Sequence, residues 1–439
     1  MRHALLGFVA ATTLASQSFA LQPLEHFADR ARTTAFDTRE ASATWRMKHE
    51  DSQRAWQALL PSATLRASYT RNQYPASSSV PPNPTTGSPG RTITILPEDQ
   101  LDAFAIIDLP IVDVARWSLI AAARHAESAS DRRSEQTALD TDKLIARAYF
   151  TVIAADALVR AADGSLKCAL ENHELVAQRQ RVGLATDLDV RRSTAEVEHA
   201  RQAVADARYT SVVTRRALET LSGVTPDLGA PALVDDLGAD GAGAATTSLE
   251  ARAGRTPGVL AAAHDVDAAH ANVAAAWGAL TPSVAANFTE RLTNATGFAG
   301  QGQVYAASVT ATWHLELGAW SGVQALEAAE SISTVRRERV ERAAKDLVVQ
   351  ASAQVEAGLV KARAARAQVE ASSEAARIAH ERYAQGRATQ LEVVQADRDA
   401  FNAEVTRIQA DADLAYARHL LRSSTGEPLA ASRVRREAP

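Results

Sequence analysis

The chain has 439 residues, a formal charge of −5, 46% hydrophobic and only 5% aromatic side chains, and one cysteine. Its Lys and Arg are scattered rather than clustered, which argues against a nucleic-acid partner, and Cys168 by itself rules out an internal disulfide. Alanine-rich helical stretches with few large anchors fit packed coiled coils better than a compact enzyme core.

Residues 1–20 read as a secretory signal. Arg2 and His3 precede a mostly apolar run from Leu5 to Leu14, and Ser18-Phe19-Ala20 suits a small-x-small cleavage site. No other segment approaches the ~20 apolar residues of a spanning helix. The expected mature chain starts at Leu21, without a helical membrane anchor and without a cysteine near the cleavage site for a lipid.

An amphipathic helix is predicted from Leu24 to Leu60, with Leu24, Phe27, Ala28, Ala31 and Ala35 on one face and Pro61 as its stop. The period then changes: Ala63, Leu65, Ala67 and Tyr69 alternate with Thr64, Arg66, Ser68 and Thr70, as in a strand with one apolar face. "PASSSVPPNPTTGSPG" follows, and residues 75–97 are predicted to be an irregular extracellular loop. Leu101, Ala103, Ala105, Ile107 and Leu109 alternate on the way back. An ordinary hairpin on a soluble core would show the same alternation, but about ten residues is also the length that crosses a bilayer when tilted.

From Asp113 to Val182 there is no proline, and only Gly164 interrupts the helical pattern. A helix of that length extends roughly 100 Å and needs neighbours along all of it. It ends in the turn "VGLATDLDV", where Gly183 suits a helix C-terminus and Thr186 can cap the helix that returns to Gly223. Pro226 to Thr247 is a Pro/Gly/Ala-rich connector.

The plan then repeats from 248 to 428. "WQALLPS" at Trp56 recurs as "WGALTPS" at Trp277, 221 residues on, whereas Gly183, Thr186, Leu188 and Asp189 recur as Gly386, Thr389, Leu391 and Glu392, 203 residues on. The 18-residue difference falls in the stretch that holds the proline-rich loop. The second hairpin is predicted at about 283–315, its long helix from Glu316 to Gln385, and a short tail at 429–439. One chain thus supplies four strands, too few to close a barrel. Open edges are not tolerated in hydrocarbon, so membrane insertion would require several chains to share one barrel.

The duplicated helix-to-strand junctions, "LPIVD" before the first long helix, "RTPGVLAA" opening the second repeat, and the "G-x-x-T-x-L-[DE]-V" turns together resemble the TolC family of outer membrane efflux and secretion channels. The resemblance covers essentially the whole mature chain. It implies a mainly α fold with membrane β: a duplicated helix–β-hairpin–long-helix–helix repeat that forms a trimeric α-barrel and a twelve-stranded β-barrel. It also implies a homotrimer in outer membrane lipid with a large periplasmic part. A periplasmic adaptor and an inner membrane pump would dock at the helical tips, and substrate would pass outward unchanged.

By the same resemblance, Asp189 and Glu392 fall where acidic side chains face the closed entrance, and three copies of each would ring the axis. Helix-start acids favoured by the dipole are the simpler alternative. Tyr383 matches a tyrosine of the closing network, but the expected arginine position is Ala388, so this gate is wired differently. Arg387, Arg181 and Arg191 are replacements by proximity. No catalytic, cofactor or metal constellation is predicted, and the eleven histidines are read as surface residues. The leading reading is a passive exit duct of an efflux pump or type I secretion system, not an enzyme. The alternatives are an exported structural coiled coil and a periplasmic adaptor of a transport complex.

Overall fold

The computed structural model describes residues 21–80, 90–227, 229, 237 and 246–427. The expected signal segment, most of the connector and the C-terminal tail lie outside the described residues. In chain order the elements are α1 (Leu24–Thr34), α2 (Phe36–Gln57), β1 (Ser62–Arg71), β2 (Ala76–Val80), β3 (Arg91–Leu96), β4 (Asp99–Val112), α3 (Val114–Arg181) and α4 (Asp187–Ser222). They continue with α5 (Thr246–Ala253), α6 (Pro257–Ala279), β5 (Ser283–Thr293), β6 (Gln303–Thr312), α7 (Leu317–Ala384) and α8 (Gln390–Ser424). The chain divides into two compact units, one of Met1–Glu40, Gln136–Thr256 and Ala343–Pro439, the other of Ala41–Glu135 and Pro257–Arg342.

The duplicated order of parts is the one predicted, and α3 and α7 are each 68 residues long. Two details differ. The first helix breaks at Ala35, which is extended at φ −60° and ψ 142°. The cause is side-chain capture of carbonyls rather than proline or glycine: Thr34 Oγ1 lies 2.8 Å from both Arg30 O and Ser222 O, and Thr38 Oγ1 donates to Ala31 O and Ala35 O. The second difference is the predicted loop at 75–97, which contains a two-stranded ladder, with Val80 opposite Arg91 and Ala76 opposite Leu96. Its prolines at 75, 81, 82, 84, 89 and 97 all lie outside the paired residues, and "TITIL" is a strand former.

In the first unit the core is a series of small clusters along paired helices. Phe27, Ile145, Val152 and Leu218 are fully buried where α1, α3 and α4 meet. Further along, Ala162, Val204 and Ala207 close α3 on α4, and Leu414, Ala362 and Ala417 close α8 on α7. Alanine at these positions lets the helices approach closely, so burial is spread along a seam instead of gathered in one core. Buried charges are paired: Asp142 with Arg32 at 2.8 Å, and Asp411 between Arg366 at 2.9 Å and Arg407 at 2.8 Å. His419 corrects the reading of the histidines as surface residues. It is buried on α8, its Nε2 has no hydrogen-bond partner, and burial, helped by Arg422 and Lys143, pushes its imidazole down to about 4.

In the second unit β1, β4, β5 and β6 form one antiparallel sheet in the order β1-β4-β5-β6. The register puts Leu65 beside Ala105, Ile107 beside Phe288, and Ala286 beside Val309, so one face is apolar across all four strands. The charged exceptions on that face are Glu290, opposite Tyr305, and the Arg71–Asp99 pair at the strand ends, bonded at 3.0 Å. The other face carries Arg66, Asp102, Asp108, Asn287 and Arg291, with Arg291 on Asp102 at 2.7 Å and Arg66 over the Phe104 ring. Every residue of the outer strands β1 and β6 is exposed. Where helices meet strands, an edge-to-face tryptophan pair occurs once per repeat, Trp56 with Trp117 and Trp277 with Trp320. Among the described residues no helix is long and apolar enough to cross a membrane.

Candidate functional site

Both long helices end in the same motif. Gly183 and Gly386 adopt φ +77° and +73°, a left-handed conformation that glycine takes without a Cβ penalty. Gly183 N donates to Gln180 O and Leu184 N to Arg179 O; Gly386 N donates to Tyr383 O and Arg387 N to Arg382 O, at 2.8–2.9 Å. These are the two bonds of a Schellman stop, and they satisfy carbonyls that the helix end would leave bare.

A capping box then opens each return helix. Thr186 Oγ1 accepts from Asp189 N at 3.2 Å, while Asp189 Oδ2 accepts from Thr186 N at 3.0 Å and from its hydroxyl at 2.7 Å. Thr389 and Glu392 repeat this through Glu392 Oε1 at 3.1–3.3 Å. Within one chain, therefore, both acids serve as caps. Asp189 Oδ1 and Glu392 Oε2 make no hydrogen bond among the described residues, so each carboxylate keeps an oxygen for water, an ion or a partner.

Tyr383 is buried against Val176 and Val393, with Ala388 packed beside them. The position expected to hold an arginine is thus taken up by apolar packing. The cation at this tyrosine comes from the other repeat instead: the Arg179 guanidinium lies 4.6 Å over the ring, and Arg179 Nη1 donates to Tyr383 O at 2.5 Å. Burial raises the Tyr383 hydroxyl above its ordinary value, opposed by Arg179 and assisted by Asp189. Arg387, Arg181 and Arg191 are exposed and do not join this contact. Sequence reading missed Arg179 because nothing local marks it; its role comes from the register of α3 against α7.

Three further features surround the turns. Arg398 on α8 bonds Glu196 on α4 through Nε at 2.9 Å and Nη2 at 2.5 Å, a second tie between the repeats. His380 bonds Asp397 at 2.8 Å and lies 3.9 Å from Cys168; the Asp397 contact, with Cys168 adding, holds its imidazole up to about 10. Gln390, next to the Thr389 cap, is almost wholly buried, yet neither of its amide atoms has a partner. An unpaired buried amide costs about 1–3 kcal/mol.

The geometry at the two tips is one of helix stops, caps and packed side chains. It holds two chemically similar turns, each presenting an acid, on either side of a buried tyrosine. The family described as outer membrane efflux protein matches residues 28–224 and 249–427, most of each repeat. A probable efflux pump outer membrane protein, TtgC of Pseudomonas putida, is 33% identical over 166 residues, or 36% of this chain and 33% of the relative. The chain therefore aligns with about a third of the length of the curated relatives it matches. Among solved structures, the outer-membrane channel OprN superposes with a TM-score of 0.77 at 19% identity, covering 92% of this chain and 89% of OprN. The Campylobacter jejuni CmeC outer membrane channel gives 0.77 at 16% identity, covering 92% and 86%.

Proposed function

The chain belongs to the outer membrane efflux protein family, and from that membership we propose that it serves as the outer membrane exit duct of a multicomponent efflux pump, working as a homotrimer. The observation that carries the reading is the four-stranded sheet whose outer strands, β1 and β6, are exposed along their whole length. Such edges are untenable in hydrocarbon, and three copies would supply twelve strands and close them on one another. The apolar face then meets lipid, and the face bearing Arg66, Asp102 and Arg291 lines water. The exposed tryptophan pairs suit the membrane–water boundary.

Relatives named as outer membrane proteins of efflux pumps, one of them an antibiotic pump, favour small-molecule efflux over protein secretion. In this reading the duct is passive, and an inner membrane pump supplies the energy through a periplasmic adaptor that docks at the turns around Gly183 and Gly386. Three copies of Asp189 and of Glu392 ring the entrance, with Tyr383, Arg179 and the exposed Arg387 beside them. The unpaired Gln390 amide supports a tip that rearranges on opening, because a new conformation would find it partners. A periplasmic adaptor or a structural coiled coil is disfavoured by a family match that runs through both repeats and their hairpins.

The test is detergent extraction of outer membranes followed by mass measurement of the intact particle and recording in planar bilayers. A trimer that conducts is expected. A water-soluble monomer would overturn the reading.

A further inference from the structure

On the second unit, His125 of α3 meets His264 and Asp267 of α6. The two imidazoles stack with ring centroids 6.2 Å apart and 30° between planes. Spaced three residues apart, His264 and Asp267 share one face of α6. Both rings turn Nδ1 toward the same carboxylate oxygen: Asp267 Oδ2 is 3.8 Å from His125 Nδ1 and 3.7 Å from His264 Nδ1. These separations are too long for hydrogen bonds, which fall at about 2.7–3.2 Å. His264 Nδ1 is moreover buried with no hydrogen-bond partner.

Three lone-pair donors therefore converge without bonding one another, all within 4.8 Å. Donors around a tetrahedral zinc with bonds of about 2.0–2.2 Å stand roughly 3.3–3.6 Å apart, so small side-chain adjustments would suffice. The cluster of Cys168, His380 and Asp397 differs on this point, because there the histidine and aspartate already bond at 2.8 Å. Two imidazole nitrogens and one carboxylate oxygen form the donor set of a borderline divalent ion. Asp267 is 53% exposed and His125 40%, which leaves a path from solvent and room for water as the remaining ligand.

We propose that His125, His264 and Asp267 bind a divalent transition-metal cation of the zinc type, which clamps the first repeat's long helix to the second repeat's opening helix. The proposal is independent of the channel reading.

The test uses the full-length protein purified in detergent, stripped with EDTA, in a Cys168→Ala background so that the thiol cluster is silent. Zinc is the probe, followed by calorimetric titration and by thermal unfolding. The expected result is one ion per chain and a higher unfolding midpoint with zinc, as binding to the folded state alone requires. His264→Ala and Asp267→Asn should each weaken binding by about tenfold or more and abolish the rise in midpoint. His270→Ala, whose ring already bonds Glu330 at 3.0 Å, should change neither. If His264→Ala fails to fold, the exposed Asp267→Asn carries the comparison. Absence of zinc uptake, or uptake of equal stoichiometry and affinity in His125→Ala/His264→Ala, would overturn the proposal.

Discussion

Glu392 accepts both the amide and the hydroxyl of Thr389 through a single carboxylate oxygen, a role glutamine also fills in a capping box. Glu392→Gln therefore removes the charge and keeps the cap, as Asp189→Asn does at the other turn. Both variants are expected to lower cation preference in single-channel recordings while the thermal midpoint stays close to wild type. Glu392→Ala should lower the midpoint further, since it also loses the cap bonds that Thr389 donates to this side chain, each of about 0.5–1.5 kcal/mol. Unchanged selectivity in both conservative variants would leave these acids as caps only. A second residue-scale expectation concerns His419, whose folded-state value of about 4 lies below the ordinary 6.5. Above the ordinary value both folded and unfolded chains hold it neutral, and it contributes no pH dependence. As pH falls from about 6.5 toward 4, the unfolded chain takes up the proton first, and stability is lost over that window. His419→Leu should flatten the decline in unfolding midpoint between those limits; an unaltered slope would refute the assignment.

Gly278 shows how one position can set the approach of two elements. A Cβ there would lie 2.8 Å from Ala115 N and 3.0 Å from Ala115 Cα, backbone atoms at the start of α3 that cannot swing aside. Gly278→Ala should destabilise by about 1–3 kcal/mol despite alanine's better helix propensity. Gly164, with nothing within 4 Å of its added Cβ, is the control: Gly164→Ala should stabilise by about 0.4–1 kcal/mol. Thermal unfolding of the two variants side by side checks both signs. Elements such as these were legible where the information is local. Pro61 and the change of period after it marked β1, and the absence of proline marked α3 and α7. The break at Ala35 was not, because Thr34 and Thr38 make it with hydroxyls that look neutral in a helical pattern. The β2–β3 ladder was obscured by prolines that flank its pairs without entering them. Thr186, Asp189, Thr389 and Glu392 follow from a four-residue rule, whereas Arg179 and the meeting of His125 with His264 depend on which helix faces lie together, a matter of tertiary register.

At the scale of the whole molecule, what joins the two repeats in the sheet is the β4–β5 ladder, which runs from Asp102 opposite Thr293 to Val112 opposite Val284. Partners there are 172 to 191 residues apart, and pairing across such separations forms slowly. Synthesis proceeds from the N-terminus, so the β1–β4 hairpin is finished long before β5 exists. α3 and α4, whose contacts are nearer in sequence, can wind together in that interval. β4 meanwhile offers an unpaired edge and the apolar row Leu101, Ala103, Ala105 and Ile107, the kind of surface on which chains stick to one another. The chain thus passes through a window of vulnerability for as long as that edge stays bare. A chain cut after the first repeat would carry half of a sheet, left waiting for a strand that never arrives.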